Sequence, residues 1–294
     1  MLERPAALNY SDMPPHAPIE FKHSEPPERL LELCQQLHES DKIAETEKAK
    51  WAKYAGGSFL FAFLSMFFSI GIPIPFVPFL IPLGGVIAGM VCLSRRGRAA
   101  DNDIDDRKLD VLRHLVWALG PEMRKNRKVS SHLDFRGYDK VAPKDDTTSW
   151  YSSTGHKSYE RKWLRVSFVL ADGTQVRIQA TTKCKRKQKA KRKYTKIKDK
   201  IVDDLHVFLK PTQGRTLDIA EQRRAAQRLS NRGGLSLVTM QVKKKHARFH
   251  FRTRVATRTR GRGGWIASGL TGLLDGPRVL GAVVTSYRTL VSSR

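Results

Sequence analysis

Between Tyr54 and Ser94 the chain runs 41 consecutive residues without a charged side chain, most of them Phe, Leu, Ile, Val, Met, Ala or Gly. One straight helix of that length would measure about 60 Å, roughly twice the hydrocarbon thickness of a bilayer. Two shorter helices fit better: residues 55–72 and 76–94 would each reach roughly 27 to 29 Å at 1.5 Å per residue. Pro73 and Pro75 mark the break, because proline lacks the helical donor and collides with the preceding turn. The reading is a transmembrane helical hairpin. Pro78 and Pro82 fall in its second arm, so a hairpin that dips into one leaflet and leaves by the same side is the alternative, and a buried core hairpin the second.

Gly85 and Gly89 form a GxxxG that lets another backbone approach, either in this chain or in a second copy. Ser58, Ala62, Ser65 and Ser69 supply a matching small stripe on the first arm. Lys48, Lys50 and Lys53 precede the hairpin and Arg95, Arg96 and Arg98 follow it, so both termini are expected in the cytoplasm. Trp51 and Tyr54 sit where interfacial aromatic anchors belong.

The formal charge of +26 is not spread evenly. Residues 1–53 carry −3, 95–143 +4, 144–182 +2, 183–200 +10 and 201–294 +13. An anionic partner is implied: an acidic lipid leaflet, an acidic protein or a nucleic acid. Three cysteines, far apart and without a CxxC, exclude a disulfide scaffold and a structural zinc site.

Periodicity divides the rest. Residues 1–27 hold six prolines among polar residues and read as a disordered tail. Residues 28–53 form a juxtamembrane helix, with Leu30, Leu33, Cys34, Leu37 and Ala44 at helical spacing. Residues 95–120 form another: Asp101, Asp103, Asp105 and Asp106 precede Leu109, Leu112, Leu115, Val116 and Leu119, and Gly120 with Pro121 ends it. The aspartates open like a calcium loop, but Asp106 stands where glycine is needed and Leu112 where the bidentate glutamate belongs; they suit a helix N-terminus instead.

Residues 121–264 read as a basic α+β domain. Val129 to Phe135 alternates, and Leu164 to Leu170 turns through Asp172 and Gly173 into Val176, Ile178 and Ala180. Further strands are expected at 205–209, 235–242 and 246–257, with a helix at 217–229 and a polar surface loop at 140–160. Residues 265–294 read as two short amphipathic helices interrupted at Asp275, Gly276 and Pro277, packed on the sheet or on a second copy, or lying in the lipid interface. The fold class is therefore α+β: an N-terminal helix, a two-span hairpin, and a mainly antiparallel cytoplasmic sheet domain with flanking helices.

Two basic constellations are the candidate anion-binding residues. The first is the run Lys183, Lys185, Arg186, Lys187, Lys189, Lys191, Arg192, Lys193, Lys196 and Lys198, extended by mutual repulsion. The second is His246, Arg248, His250, Arg252 and Arg254, whose period of two makes a basic ladder over an apolar underside of Ala247, Phe249, Phe251 and Val255. Arg258, Arg260 and Arg262 continue into a glycine-rich stretch.

Catalytic signatures are lacking: no GxSxG, Walker A loop, HExxH or strand-borne GxGxxG is present. Ser152, Ser153 and His156 have nothing to orient them. No metal site or cofactor is called for. The expectation is a membrane-anchored, non-enzymatic binding or scaffold protein presenting its basic domain to acidic lipid or an acidic protein. A membrane-tethered nucleic-acid binder is the alternative, and an enzyme whose site is scattered through the chain the third.

Overall fold

The structure, a computed structural model, describes residues 20–68, 77–101, 104–124, 127–140, 142–146, 154–212, 215–217, 235–243, 246–261, 264–270, 273–288 and 290–292. It is an α+β protein with an antiparallel sheet and flanking helices, and it divides into two compact units.

The first unit contains residues 35–104. Its helices are α1 (Pro27–Phe68), whose opening turns belong to the second unit, and α2 (Val77–Asp101). The glycines of α2 meet α1 of the same chain: a Cβ on Gly85 would lie 2.8 Å from the Cβ of Ala62, and one on Gly89 2.8 Å from the ring of Phe59. The GxxxG and the Ala62 position of the small stripe thus meet within one chain, and a homo-oligomer through Gly85 and Gly89 would have to displace α1. The large apolar side chains beyond this seam are uncovered, with Leu60, Phe63, Met66, Leu80 and Met90 each close to 60% exposed. Among the described residues one helical stretch, Leu80–Arg98, is long and apolar enough to cross a membrane. The described uncharged part of α1, residues 54–68, is shorter, and the expected break at Pro73 and Pro75 lies outside the described residues.

The second unit contains residues 20–34 and 105–292. Its sheet runs β1 (Glu20–Glu25), β2 (Val129–Asp134), β4 (Thr154–Val169), β5 (Gln175–Ala190) and β6 (Thr195–Lys210), every pair antiparallel. The short β3 (Asp145–Asp146) pairs with β4. Beyond β6 the sheet forks. The second half of β6 pairs with β9 (His246–Thr253), itself paired with β8 (Leu235–Lys243), and the first half pairs with β10 (Ala256–Gly261), itself paired with β11 (Gly264–Ser268). A separate small ladder joins β7 (Arg215–Leu217) to β12 (Leu290–Ser292).

One side of the sheet is the core. Leu133, Leu164, Val166, Ile178, Leu205, Val207 and Phe249 point inward and are buried. They meet α3 (Asp106–Leu119), which buries Leu109, Leu112, Leu115, Val116 and Leu119 as their spacing predicts, and α4 (Gly276–Arg288), which buries Val279, Ala282 and Val283. α3 and α4 touch so closely that a Cβ on Gly276 would fall 2.6 Å from the Cβ of His114. The other, open side of the sheet carries exposed basic side chains.

Several expectations are corrected. Residues 20–27, read as part of the proline-rich tail, instead supply the edge strand β1 and the start of α1, because Phe21 is buried and Glu20 to Glu25 pairs along the whole of β2. The helix expected over 95–120 is two helices, α2 ending at Asp101 and α3 beginning at Asp106. Within the break, the Ile104 amide donates to Asp41 Oδ1 at 2.9 Å. The polar stretch 140–160 is a strand from Thr154 onward, pairing with β5. The strand expected over 246–257 is broken at Arg254 and Val255, where β6 changes partner from β9 to β10. At the C-terminus the first expected helix is instead the hairpin strand β11, Trp265 standing opposite Arg260, while the second helix is α4. The helix expected over 217–229 lies outside the described residues beyond Leu217, which ends β7.

Candidate anion-binding face

The polybasic run is a β-hairpin. Its residues form the outer halves of β5 and β6, joined by a tight turn in which the Lys191 amide donates to the Tyr194 carbonyl at 2.9 Å. Because side chains alternate along a strand, the pleat sorts the run onto two faces. The register sets Lys185 opposite Lys200, Lys187 opposite Lys198 and Lys189 opposite Lys196. All six side chains are exposed on the open face. Directly opposed residues on antiparallel strands lie about 5 Å apart and successive same-face residues about 7 Å, so the six make a lattice of three like-charged pairs. Like charges in this arrangement destabilise the sheet. Toward the tip β5, β6 and β10 carry no acid on this face, and none of the six lysines has an ion pair among the described residues. Lys191, Arg192 and Lys193, exposed in the turn, extend the charge.

Arg186 leaves this set. It points to the other face, where its Nε and Nη2 donate to the two oxygens of Asp199 at 2.8 and 2.9 Å, and its guanidinium lies over the ring of Tyr159. Asp199, fully buried, also accepts from the Tyr138 hydroxyl at 2.9 Å. Asp199, the one acid between Lys183 and Lys200, is thus the internal partner of one arginine of the run.

The basic ladder is divided in the same way. Arg252, His250 and Lys183 converge on Asp204: Arg252 Nε lies 2.7 Å and His250 Nε2 3.1 Å from Oδ1, and Lys183 Nζ lies 2.8 Å from Oδ2. Asp204 is completely covered, and these donors hold its carboxyl far below the usual range against the desolvation that raises it. His206 stacks on His250 with ring centroids 4.4 Å apart. Burial, then the neighbouring His250 and Arg248, lowers the His206 pKa to about 4, so this ring is neutral at physiological pH. His246 and Arg248 remain exposed at the far end of the same face, and Arg248 lies over the ring of Phe208. Arg254 has left the strand, and Val255, expected on the apolar underside, is 59% exposed beside it.

Two acids near Lys183 limit the lattice. Asp204 is one, and the other is Glu160, opposite Lys183 on β4 and paired with Lys144 at 3.2 Å. Sequence reasoning held Lys200 as the last residue of the run but missed its pairing, because only the strand register brings it opposite Lys185. It also missed Arg177 and Lys210 on the same face.

Burial pushes the Cys34 and Cys184 thiols up to about 12, which disfavours the nucleophilic thiolate at those two positions. Comparison of the chain with protein-family models, curated proteins and solved structures found no match.

Proposed function

We propose that this chain is a membrane-anchored, non-enzymatic binding protein whose α1–α2 hairpin enters the bilayer and whose open sheet face engages an anionic lipid surface. The observation that carries the reading is the six-lysine lattice, a like-charge arrangement in which none of the six lysines has an ion pair among the described residues. Basic residues near an acidic leaflet gain about 1 kcal/mol each, enough to offset their mutual repulsion. The hairpin rests on the uncovered Leu60, Phe63, Met66, Leu80 and Met90, which would be costly to leave in water as one patch. Lysines before residue 54 and arginines after residue 94 put both termini in the cytoplasm on this reading.

Dimensions favour a flat partner. Beside the lattice the sheet is five strands wide, from β4 to β11. At a strand spacing of about 4.8 Å that is about 19 Å, whereas the major groove of B-DNA is about 12 Å wide. Among the described residues no Phe, Tyr or Trp stands between the six lysines for stacking on bases; Tyr194 lies at the tip, and the one ring opposite a lysine is the His156 imidazole across from Lys187.

The test uses the full chain in nanodiscs of neutral lipid, mixed with vesicles containing 30% phosphatidylserine, with duplex DNA and polyglutamate as competitors. Replacing Lys185, Lys187, Lys189, Lys196, Lys198 and Lys200 with glutamine is expected to reduce vesicle capture at least tenfold, and neither competitor is expected to match vesicles at equal charge. Unchanged capture, or preferential binding of DNA or polyglutamate, overturns the lipid reading.

A further inference from the structure

Two cavities in the sheet unit are lined by several cations, and they differ in one respect. The cavity of about 350 Å³ beside Trp163 holds Arg107, Lys108, Arg136, Arg161 and Arg258, each already engaged. Arg107 pairs with Asp203, Arg136 with Glu20 and Asp134, Arg161 with Asp134, and the Lys108 ammonium donates to the carbonyls of residues 134, 135 and 136. These charges hold the domain together.

The cleft of about 470 Å³ at the other end of the open face is built differently. Its basic residues are Lys128, Arg177, Lys210 and His246, and no acid lines it. None of the four has an ion pair or a side-chain hydrogen bond among the described residues. The strand register explains how they meet. Ser130, Ser167, Arg177 and Phe208 form one row across β2, β4, β5 and β6, and Gln175 and Lys210 stand in the next row. Arg177 and Lys210 are therefore diagonal neighbours on adjoining strands, roughly 7 to 8 Å apart at the backbone, close enough for both side chains to reach one anion. Ser130, Ser167 and Gln175 add neutral donors beside them.

We infer that this cleft binds a compound carrying two or more phosphate groups. One phosphate is met by the Arg177 fork and the Lys210 ammonium, since a planar guanidinium with a nearby point charge suits tetrahedral oxyanions. A single phosphate does not account for the set, because Lys128 and His246 stand at opposite ends of a cleft that crosses five strands, about 19 Å. A second anionic group is needed to reach either of them. The volume lies within the range of small-molecule sites, and the Phe208 ring on the floor, under Arg248, offers an apolar surface to the ligand's carbon skeleton. The same chemistry is presented by a multiply phosphorylated lipid headgroup and by a free polyphosphate. The site does not depend on the lysine lattice, from which it is separated along β5 and β6 by the Asp204 cluster.

The experiment is calorimetric titration of the full chain in neutral detergent with tripolyphosphate, with sulfate at matched ionic strength as the reference. Tripolyphosphate is expected to bind at one saturable site, at least tenfold more tightly than sulfate. Arg177→Gln with Lys210→Gln is expected to weaken it at least tenfold. Lys185→Gln with Lys198→Gln, which removes the same charge from the lattice, is expected to change it less than threefold. Arg177→Lys, which keeps the charge and loses the fork, is expected to fall between. Unchanged melting temperatures establish that these exposed substitutions leave the fold intact. Equal weakening by the two double variants, or tripolyphosphate no better than sulfate, overturns the site. Neutral vesicles doped with a phosphoinositide bisphosphate separate the two sources: capture that tripolyphosphate reverses assigns the headgroup, and tripolyphosphate binding without capture assigns the free compound. Capture of phosphatidylserine vesicles that survives Arg177→Gln with Lys210→Gln keeps a failure here distinct from a failure of the lattice.

Discussion

Arg186 and Asp199 face each other across β5 and β6 as a two-point ion pair, Nε to Oδ1 at 2.8 Å and Nη2 to Oδ2 at 2.9 Å, on the reverse of the sheet from the six lysines. Asp199 is fully buried, and Arg186 is 14% exposed. Removing either partner strands a buried charge or its donors, at a cost of about 3 kcal/mol. Arg186→Gln and Asp199→Asn should therefore lower the midpoint of chemical unfolding strongly, while Lys187→Gln, one residue away on the open face, should shift stability by less than about 0.5 kcal/mol. Equal effects of the three substitutions would contradict the sorting of this run by the pleat.

The lysine lattice carries repulsion that one substitution can relieve. Lys198→Glu puts a carboxylate directly opposite Lys187. Opposed charges on paired strands contribute roughly 0.2 to 1 kcal/mol, so this variant should be slightly more stable than the natural chain. It should also capture anionic vesicles less well. A gain in melting temperature together with a loss of capture, both fading as salt rises, is the expected signature.

Acid should loosen the sheet unit in two stages. His206 is kept neutral down to about pH 4 by burial, His250 and Arg248, so between pH 6.5 and 4 the unfolded chain takes up a proton that the folded one refuses, and stability falls. Asp204, whose carboxyl is depressed by Arg252, Lys183 and His250, contributes stability that is present above about pH 4 and lost as pH drops further. His206→Gln should flatten the first stage and leave the second. Unfolding midpoints measured at half-unit pH steps test both windows.

Close approach of α1 and α2 predicts a contrast between neighbouring glycines. Gly85→Ala drives a Cβ to 2.8 Å from Ala62 and 3.1 Å from the Ser58 carbonyl oxygen, whereas a Cβ on Gly84 meets nothing within 4 Å. Overpacking of this kind costs about 1 to 3 kcal/mol. In detergent, Gly85→Ala should lower the thermal midpoint and increase proteolysis between the helices, and Gly84→Ala should do neither.

Topology is open to a direct check. Reporter fusions at residues 1 and 294 should both respond from the cytoplasmic side, as an even number of spans requires. Opposite responses would leave an odd number.

Much of this was readable from residue patterns. The uncharged stretch of residues 54–94 constrains what can surround it whatever the rest of the chain does. Asp172 and Gly173 specify the β4–β5 turn, where Gly173 adopts φ +86° and the Thr174 amide donates to Asp172. The apolar stripe of α3 ends at Gly120 as its spacing requires. These features depend on contacts within a few residues, so local pattern is enough to fix them.

The tertiary structure decided what crosses between distant segments. Alternation says that Lys185 and Arg186 face opposite ways, but not which faces the core or what stands across from each. That depended on the register from Cys184 opposite Ile201 to Lys189 opposite Lys196, which is held by buried Cys184, Ile201 and Asp199. A slip of one residue would have turned the lysines inward. Likewise β1 looked like tail because its six residues are too few and too polar to declare a strand alone, and they gain definition from β2, more than a hundred residues further on, where Glu20 stands opposite Asp134. A strand's hydrogen bonds are made with another segment, so its own residues state a preference and its partner settles whether that preference is realised.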